Sequence, residues 1–293
     1  MLHCLLDMQR DDLYAMVLGL APTAIVAAIF VVFPVGFSLY LSLWDWPLVG
    51  HQPFFVGLAN WLELSHDPEF WAALKITGLY TLGSVSATTI LAFILALALN
   101  QNLRGSAFYR LAFFLPVVLS TVVAALFWEG ALQPQVGLVN RMLRALGLPG
   151  PGWLTDPAWA LPALLLIHVW RFIGYYALIF LAGLQSIPRA YYEAAKIDGA
   201  GRRARLRHIT WPLLRPTTAL VVITGAIFAS QVFGPVYVLT GGGPARSTTT
   251  LVMYLYERAF GLRQLGYGAA LGWAMFLILF PLTWWQFRRW ARD

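Results

Sequence analysis

Long apolar runs alternate with short polar ones along the chain, and the run lengths set the first expectations. Residues 13–43 contain no charged residue and no histidine, and about 20 apolar residues suffice for a helix to cross a bilayer. Pro22 and Pro34 fall inside this run, which predicts a kink, or a helix that starts and ends within it. Five more apolar runs follow at 76–99, 111–128, 160–184, 216–239 and 265–287. The first of these five is rich in small residues (Gly78, Gly83, Ser84, Ser86, Ala87), which let helices approach closely in lipid. The predicted fold is an all-α membrane protein of six transmembrane helices, with one domain over 13–290 behind a short N-terminal segment, 1–12.

The polar stretches fit this layout. Residues 45–75 are mixed in charge and rich in Trp, as expected of a loop with an interfacial aromatic belt. The stretch 131–157 is rich in Gly and Pro and predicts a loop with one short interfacial helix near 138–146. The Gly234-Pro235 pair predicts a break in the fifth span. Thr224, Ser230 and Gln231 beside it fit either a cavity lined by opened helix or a simple packing kink.

Composition sharpens the class. Charged residues are 11% and hydrophobic residues 59% of the chain, against about 25% charged in ordinary globular proteins. So few charges do not cover a water-facing surface. The formal charge of +7 therefore reads as topology rather than nucleic-acid binding. With six spans both termini share a side. Thirteen basic residues (Arg10, Arg104, Arg110, seven in 187–216, Arg288, Arg289, Arg292) then fall on that side. Six (Lys75, Arg141, Arg144, Arg246, Arg258, Arg263) fall on the other. The bias places both termini in the cytoplasm. The N-terminus lacks a signal-peptide layout, so the first run is expected to be an uncleaved anchor. The single cysteine, Cys4, excludes an intramolecular disulfide and a cysteine metal cluster.

The one long polar interruption is 187–216, with seven of the chain's 20 Lys and Arg. It predicts a short helix opened by Pro188, a turn at Gly199 and Gly201, and a second short helix closed by Pro212. On the residues alone, this hairpin fits a docking element for a partner and, equally, an amphipathic element resting on anionic lipid through Arg202, Arg203, Arg205 and Arg207.

Two kinds of engine are missing from the polypeptide. The phosphate-cradling GxxxxGK[ST] pattern needs Lys followed by Ser or Thr, and Lys75 and Lys196 are each followed by Ile. No row of Asp or Glu lies inside the spans, as proton- or sodium-coupled carriers require. No catalytic residue and no metal site is expected. A stand-alone carrier remains as an alternative class.

The fourth span alone carries ionisable groups in its middle: His168 and Arg171, with Trp170, Tyr175 and Tyr176 alongside. A charge at helix centre costs ~2.5–3.5 kcal/mol on insertion scales, so Arg171 is a candidate site residue. Its alternative is a structural arginine satisfied by backbone carbonyls or by a second subunit. His168 reads as a packing residue. The candidate pathway set is Trp170, Arg171, Tyr175 and Gln231.

Two stretches resemble a known family. Glu193, Ala194 and Ala195, then Asp198, Gly199 and Ala200, then Ile209, Pro212 and Pro216 match the cytoplasmic "EAA" loop of permease subunits of binding-protein-dependent ABC importers. Leu206 and Trp211 stand where that family typically has Phe and Leu. TGGGPARSTTT after the fifth span, and AGLQSIP before the loop, resemble the carbohydrate-import branch. On residues alone the Gly-rich loop reads as a flexible linker; the resemblance places it outside, near the solute-binding protein.

The resemblance implies a type I ABC importer permease in the bacterial inner membrane. Glu193, Ala194, Ala195, Asp198 and Gly199 would couple to the ATPase. The implied partners are a homologous permease subunit, two cytoplasmic ATPases that bind the ATP and Mg, and an extracytoplasmic solute-binding protein. No cofactor is expected in this chain. The implied cargo is a sugar, with glycerol 3-phosphate or a phosphodiester as the alternative.

Overall fold

The structure is a computed structural model that describes residues 10–50, 52–101 and 105–290. Cys4, Arg104, Arg292 and most of the N-terminal segment 1–12 lie outside the described residues. The fold is mostly helical and divides into two compact units, residues 10–66 with 257–273, and residues 67–256 with 274–290.

In the first unit, helix α1 (Arg10–Ala27) passes through a π-helical turn (Ala28–Val32) into α2 (Phe33–Leu41). The turn lies just ahead of Pro34, whose missing N–H leaves a carbonyl of the preceding turn without its α-helical donor. No side chain from 19 to 41 is buried, and Phe30, Val32 and Phe33 are prominently exposed. An apolar helix without a polar face is suited to lipid. Beyond it the all-α expectation has one small exception, a hairpin of β1 (Trp44–Asp45) and β2 (Phe54–Phe55) that pairs Trp44 with Phe55. The Asn60 side chain, in α3 (Ala59–His66), donates to the Ser42 and Trp44 carbonyls at 2.9 and 3.0 Å. The rings of Tyr40, Trp46 and Phe55 each meet that of Trp44.

The second unit is built on α4 (Pro68–Leu99) and α8 (Pro157–Ser186), two unbroken helices of spanning length. Asp67 and Asp156 cap their N-termini, each accepting at 2.9 Å from the N–H two residues on, and Pro68 and Pro157 open the first turns. The buried positions of α4 are Phe70, Ala73, Thr77, Tyr80, Ser84, Thr88, Ala92, Ala96 and Leu99. Steps of three or four make this one stripe, and most of it is small. Ala92, Ala96 and Leu99 pack there against Tyr176, Phe180 and Leu184 of α8.

The other runs depart from straight helices. Residues 111–128 are not one helix but α5 (Ser106–Val118) and α6 (Thr121–Ala131), bent by 100° at their junction. The short helix expected near 138–146 is α7 (Leu138–Ala145). Its fully buried Asn140 ties the Gly/Pro-rich loop together, donating to the Pro134 and Pro151 carbonyls and accepting from the Trp153 indole at 2.7 Å.

After α8 come α9 (Arg189–Ile197), α10 (Arg202–Arg205), a π-helical turn (Leu206–Thr210) and α11 (Trp211–Leu213). Pro212 lies inside this second run rather than closing it. The chain bends by 63° before α12 (Arg215–Ser230). Residues 231–233 are not helical and separate α12 from α13 (Gly234–Leu239). The remaining helices are α14 (Leu251–Tyr256) and, after a π-helical turn (Glu257–Gly261), α15 (Leu265–Trp290). Among the described residues, three helices are long and apolar enough to cross a membrane, or up to five if each bent pair is one span; the apolar part of α15, Leu265–Pro281, is shorter.

Gly174 marks one of the two tightest glycine approaches among the described residues. A Cβ there would lie 1.9 Å from the Phe113 carbonyl oxygen of α5. Replacing Gly174 with Val is expected to destabilise the purified protein by at least the ~1–3 kcal/mol of an overpacked core. Gly78→Ala, with nothing within 4 Å of its would-be Cβ, is the control. Thermal unfolding in detergent checks both, and an unshifted Gly174→Val midpoint would contradict the close approach.

Candidate functional site

Two features stand out from this frame: a cavity inside the helices and an exposed hairpin at one end of α8. The cavity, about 270 Å³, is bounded by α4, α6, α8 and the break between α12 and α13. Its polar lining comes from Tyr80, Thr121, His168, Arg171 and Gln231. Its apolar lining includes Leu164, Ile167, Phe172, Phe228 and Phe233. Leu164, Ile167, His168, Arg171 and Phe172 recur at three- and four-residue steps, so one stripe of α8 faces the space.

Helix breaks supply two of the walls. At the third-run junction, Arg171 donates from Nη1 to Thr121 Oγ1 at 2.7 Å and from Nη2 to the Leu119 carbonyl at 3.1 Å. It thus holds both sides of the 100° bend. A hydrogen bond from a charged group contributes about 1.5–3 kcal/mol, so two are of the size needed to offset the insertion cost of ~2.5–3.5 kcal/mol. At the fifth-run break, the Thr250 hydroxyl donates to the Val232 carbonyl at 3.1 Å. The two breaks lie against each other: a Cβ on Gly234 would sit 2.8 Å from Thr121 Cγ2.

His168 is 7% exposed. Its Nδ1 is 3.2 Å from the Tyr80 hydroxyl, and its ring meets those of Tyr80 and Phe172. It is packed and hydrogen-bonded as a core residue while still bordering the cavity.

Of the four residues proposed from sequence for the pathway, Arg171 and Gln231 line the cavity and Trp170 and Tyr175 do not. Trp170 stacks on Phe127 and meets Trp128 edge-on. Tyr175 lies against Tyr176 beside the α4–α8 core. Tyr80 and Thr121 join the site from runs in which nothing distinguishes them from other uncharged polar residues such as Thr77, Thr81 and Ser120. The signal for Thr121 was the Ser120-Thr121 pair four residues after Pro116, a helix-start pattern inside a span.

The hairpin has a fixed base and a bare tip. Ile187, Leu214, Tyr192 and Ile209 pack into the α4–α8 core, and the hydroxyls of Tyr192 and Thr210 are 3.0 Å apart. Glu193, Ala194, Asp198 and Gly199 are exposed and Ala195 is half-buried, while Ile197 is 87% exposed. Gly199 has φ +78°. With Gly199 N donating to Lys196 O and Ala200 N to Ala195 O, α9 ends in a Schellman motif that needs glycine at this position.

The TGGGPARSTTT loop is not a loose linker. Thr248 and Thr249 donate to the Gly243 and Gly242 carbonyls at 2.6 and 2.9 Å. The Thr240 and Thr248 hydroxyls are 2.8 Å apart, and Thr248 and Thr250 are fully buried. Arg246 pairs with Glu69 at 3.4 Å, and Tyr254 hydrogen-bonds to Asp67, so the loop is fastened to the start of α4.

Residues 88–288 match the family described as the binding-protein-dependent transport system inner membrane component. The chain is 38% identical to the sulfoquinovosyl glycerol transport system permease protein SmoG of Agrobacterium fabrum, over 93% of this chain and 89% of that protein. It is 36% identical to the trehalose/maltose transport system permease protein MalF of Thermococcus litoralis, over 92% and 90%. Among solved structures it is similar to a chain of a bacterial ABC transporter involved in the import of the acidic polysaccharide alginate, with a TM-score of 0.82 and 26% identity over 96% of this chain and 95% of that one. A bacterial alginate transporter in complex with an alginate pentasaccharide-bound periplasmic protein gives 0.79 and 25% over 94% and 92%.

Thr121→Val removes the shorter of the two Arg171 bonds while keeping side-chain volume. It is expected to lower stability by about 1.5–3 kcal/mol, read as a drop in the thermal unfolding midpoint. A midpoint equal to wild type would contradict the brace.

Proposed function

The chain belongs to the family of inner-membrane components of binding-protein-dependent transport systems, a multi-pass permease subunit of an ABC importer, and from that premise we propose that it carries a sugar through the cavity and is driven through the hairpin. The observation that carries this reading is the continuity of the two features. The hairpin joins α8, which bears Arg171, to α12, which ends one residue before Gln231. Arg171 lies 15 residues before Ser186, roughly 22 Å of helix at ~1.5 Å per residue, so a push on the hairpin is transmitted along one rigid rod.

The proposed cycle is alternating access. ATP, with Mg, closes a dimer of partner ATPases in the cytoplasm, and the dimer grips the tip formed by Glu193, Ala194, Ala195, Asp198 and Gly199. Exposed Ile197 supplies apolar contact and the carboxylates of Glu193 and Asp198 pair with cationic groups on the ATPase. The buried base carries the motion into α8 and α12. Their displacement opens and closes the cavity, because two of its walls are breaks that rearrange without tearing a regular helix. Gln231, the Arg171 N–H groups not used in the brace, and the flat faces of Phe172, Phe228 and Phe233 are suited to a sugar's hydroxyls and apolar ring faces. A second, homologous permease subunit completes the pathway, and a solute-binding protein delivers cargo beside the loop at 240–250.

The sugar assignment is supported by the relatives with sulfoquinovosyl glycerol and trehalose/maltose in their names. Delivery by a binding protein is supported by the alginate transporter structure with its periplasmic protein. The basic-residue count favours a cytoplasmic hairpin in a bacterial inner membrane.

Glu193→Lys and Gly199→Val are expected to leave the chain inserted but to uncouple ATP hydrolysis from transport. Gly199→Val also strains a left-handed residue by roughly 1–2 kcal/mol. Reconstituted complex with both activities measured side by side checks this, and fully coupled transport in both variants would contradict the docking role.

A further inference from the structure

We propose that the cavity selects a negatively charged glycan, with Arg171 as its counter-charge. The inference rests on the cavity's being the pathway and adds the electrical class of the cargo. Arg171 is near the middle of α8 and its two bonds go to neutral acceptors, Thr121 Oγ1 and the Leu119 carbonyl. No Asp or Glu lines the cavity. Helices α8, α12 and α13 contain no acid at all. The one acid in α4 is Glu69, in the first turn and within 3.4 Å of Arg246. The one acid in α5 and α6 is Glu129, eight residues beyond Thr121 and so about 12 Å along the helix. The guanidinium is thus braced but not neutralised by the helices that wall the cavity.

A cation in lipid surroundings calls for an opposite charge, and here the space beside it is open. A guanidinium has five N–H donors in a planar fork that matches carboxylate, phosphate or sulfonate. The brace uses two. Of the other three, Nε–H is buried with no partner among the described residues. The remaining polar lining adds no charge: the Tyr80 hydroxyl is engaged with His168, and Gln231 offers a neutral amide. At about 270 Å³ the cavity is slightly smaller than the ~300–1,000 Å³ of sites for drug-sized ligands, which fits a short glycan or the charged end of a longer one.

The test uses the assembled membrane complex without its binding protein, so that any preference belongs to the membrane helices. Thermal unfolding is followed with matched neutral and anionic probes: maltose against maltobionate, glucose against glucuronate, glycerol against glycerol 3-phosphate. In at least one pair the anion is expected to protect wild type at a tenfold or greater lower concentration than its neutral partner. Arg171→Gln should abolish that margin and Arg171→Lys should retain part of it, while Gly78→Ala, outside the cavity, should retain it in full. Absence of a margin in every pair, a margin favouring the neutral member, or a margin that survives Arg171→Gln would overturn the inference. Should Arg171→Gln fail to fold, Gln231→Glu, which puts a carboxylate into the same cavity, should abolish the margin, and a margin that survives it would overturn the inference equally. The pathway reading fails separately, if a bulky thiol adduct on Ile167→Cys in a Cys4→Ser background leaves ATP-driven uptake intact.

Discussion

A backbone that breaks inside a membrane leaves carbonyl and amide groups that lipid does not satisfy, so every break must find partners within the protein. In this chain two breaks meet that demand in one place. The bend between Val118 and Thr121 is held by Arg171 reaching to Leu119 and Thr121. The opening after Ser230 is held by Thr250 reaching to Val232. Gly234 brings the two breaks into contact against Thr121. Regular helices elsewhere need no such repair, and α4 and α8 pack simply, through a stripe of small residues on one and large apolar residues on the other. The cavity therefore lies where the chain has given up regular structure, and Arg171, which repairs one of the breaks, also gives the cavity its charge.

In the proposed cycle, this arrangement would carry a remote push to the cavity. The hairpin between α8 and α12 is wedged at its base by Ile187, Leu214, Tyr192 and Ile209 and is bare at its tip. On that proposal, a rigid helix on one side and a helix ending at a break on the other would convert movement of the tip into a change of cavity shape. The Schellman turn at Gly199 fixes the tip's form, so a docking partner would meet a preformed surface rather than a loop that must first be ordered.

Much of this was legible in the sequence because the signals were local. Apolar run length located the long helices, and Gly234-Pro235 announced the fifth-run break. Pro188, Gly199 and Gly201 announced the hairpin, although the second half of it continues through Pro212 by way of a π-helical turn. The less legible parts depend on which face of a helix turns where. Trp170 is one position off the stripe of α8 that faces the cavity, and Tyr175 is one turn beyond its end. Tyr80 and Thr121 are ordinary residues until the fold places them beside His168 and Arg171. The glycines at 241–243 suggest a loose linker by composition, but the hydroxyls of Thr248 and Thr249 bind their carbonyls and make a compact knot. Charge inside a span was visible from the start; that the wall helices leave it without a carboxylate required the fold.

The most direct test of the central claim, that the cavity between the two breaks alternates between the two sides of the membrane, is the accessibility of a cysteine at Gln231 in a Cys4→Ser background of the assembled complex. Membrane-impermeant thiol reagents applied from each side, without nucleotide and with the ATPases trapped in their closed form, should label from the cytoplasmic side in the first state and from the outer side in the second. Labelling from one side only in both states, or from neither, would contradict the account.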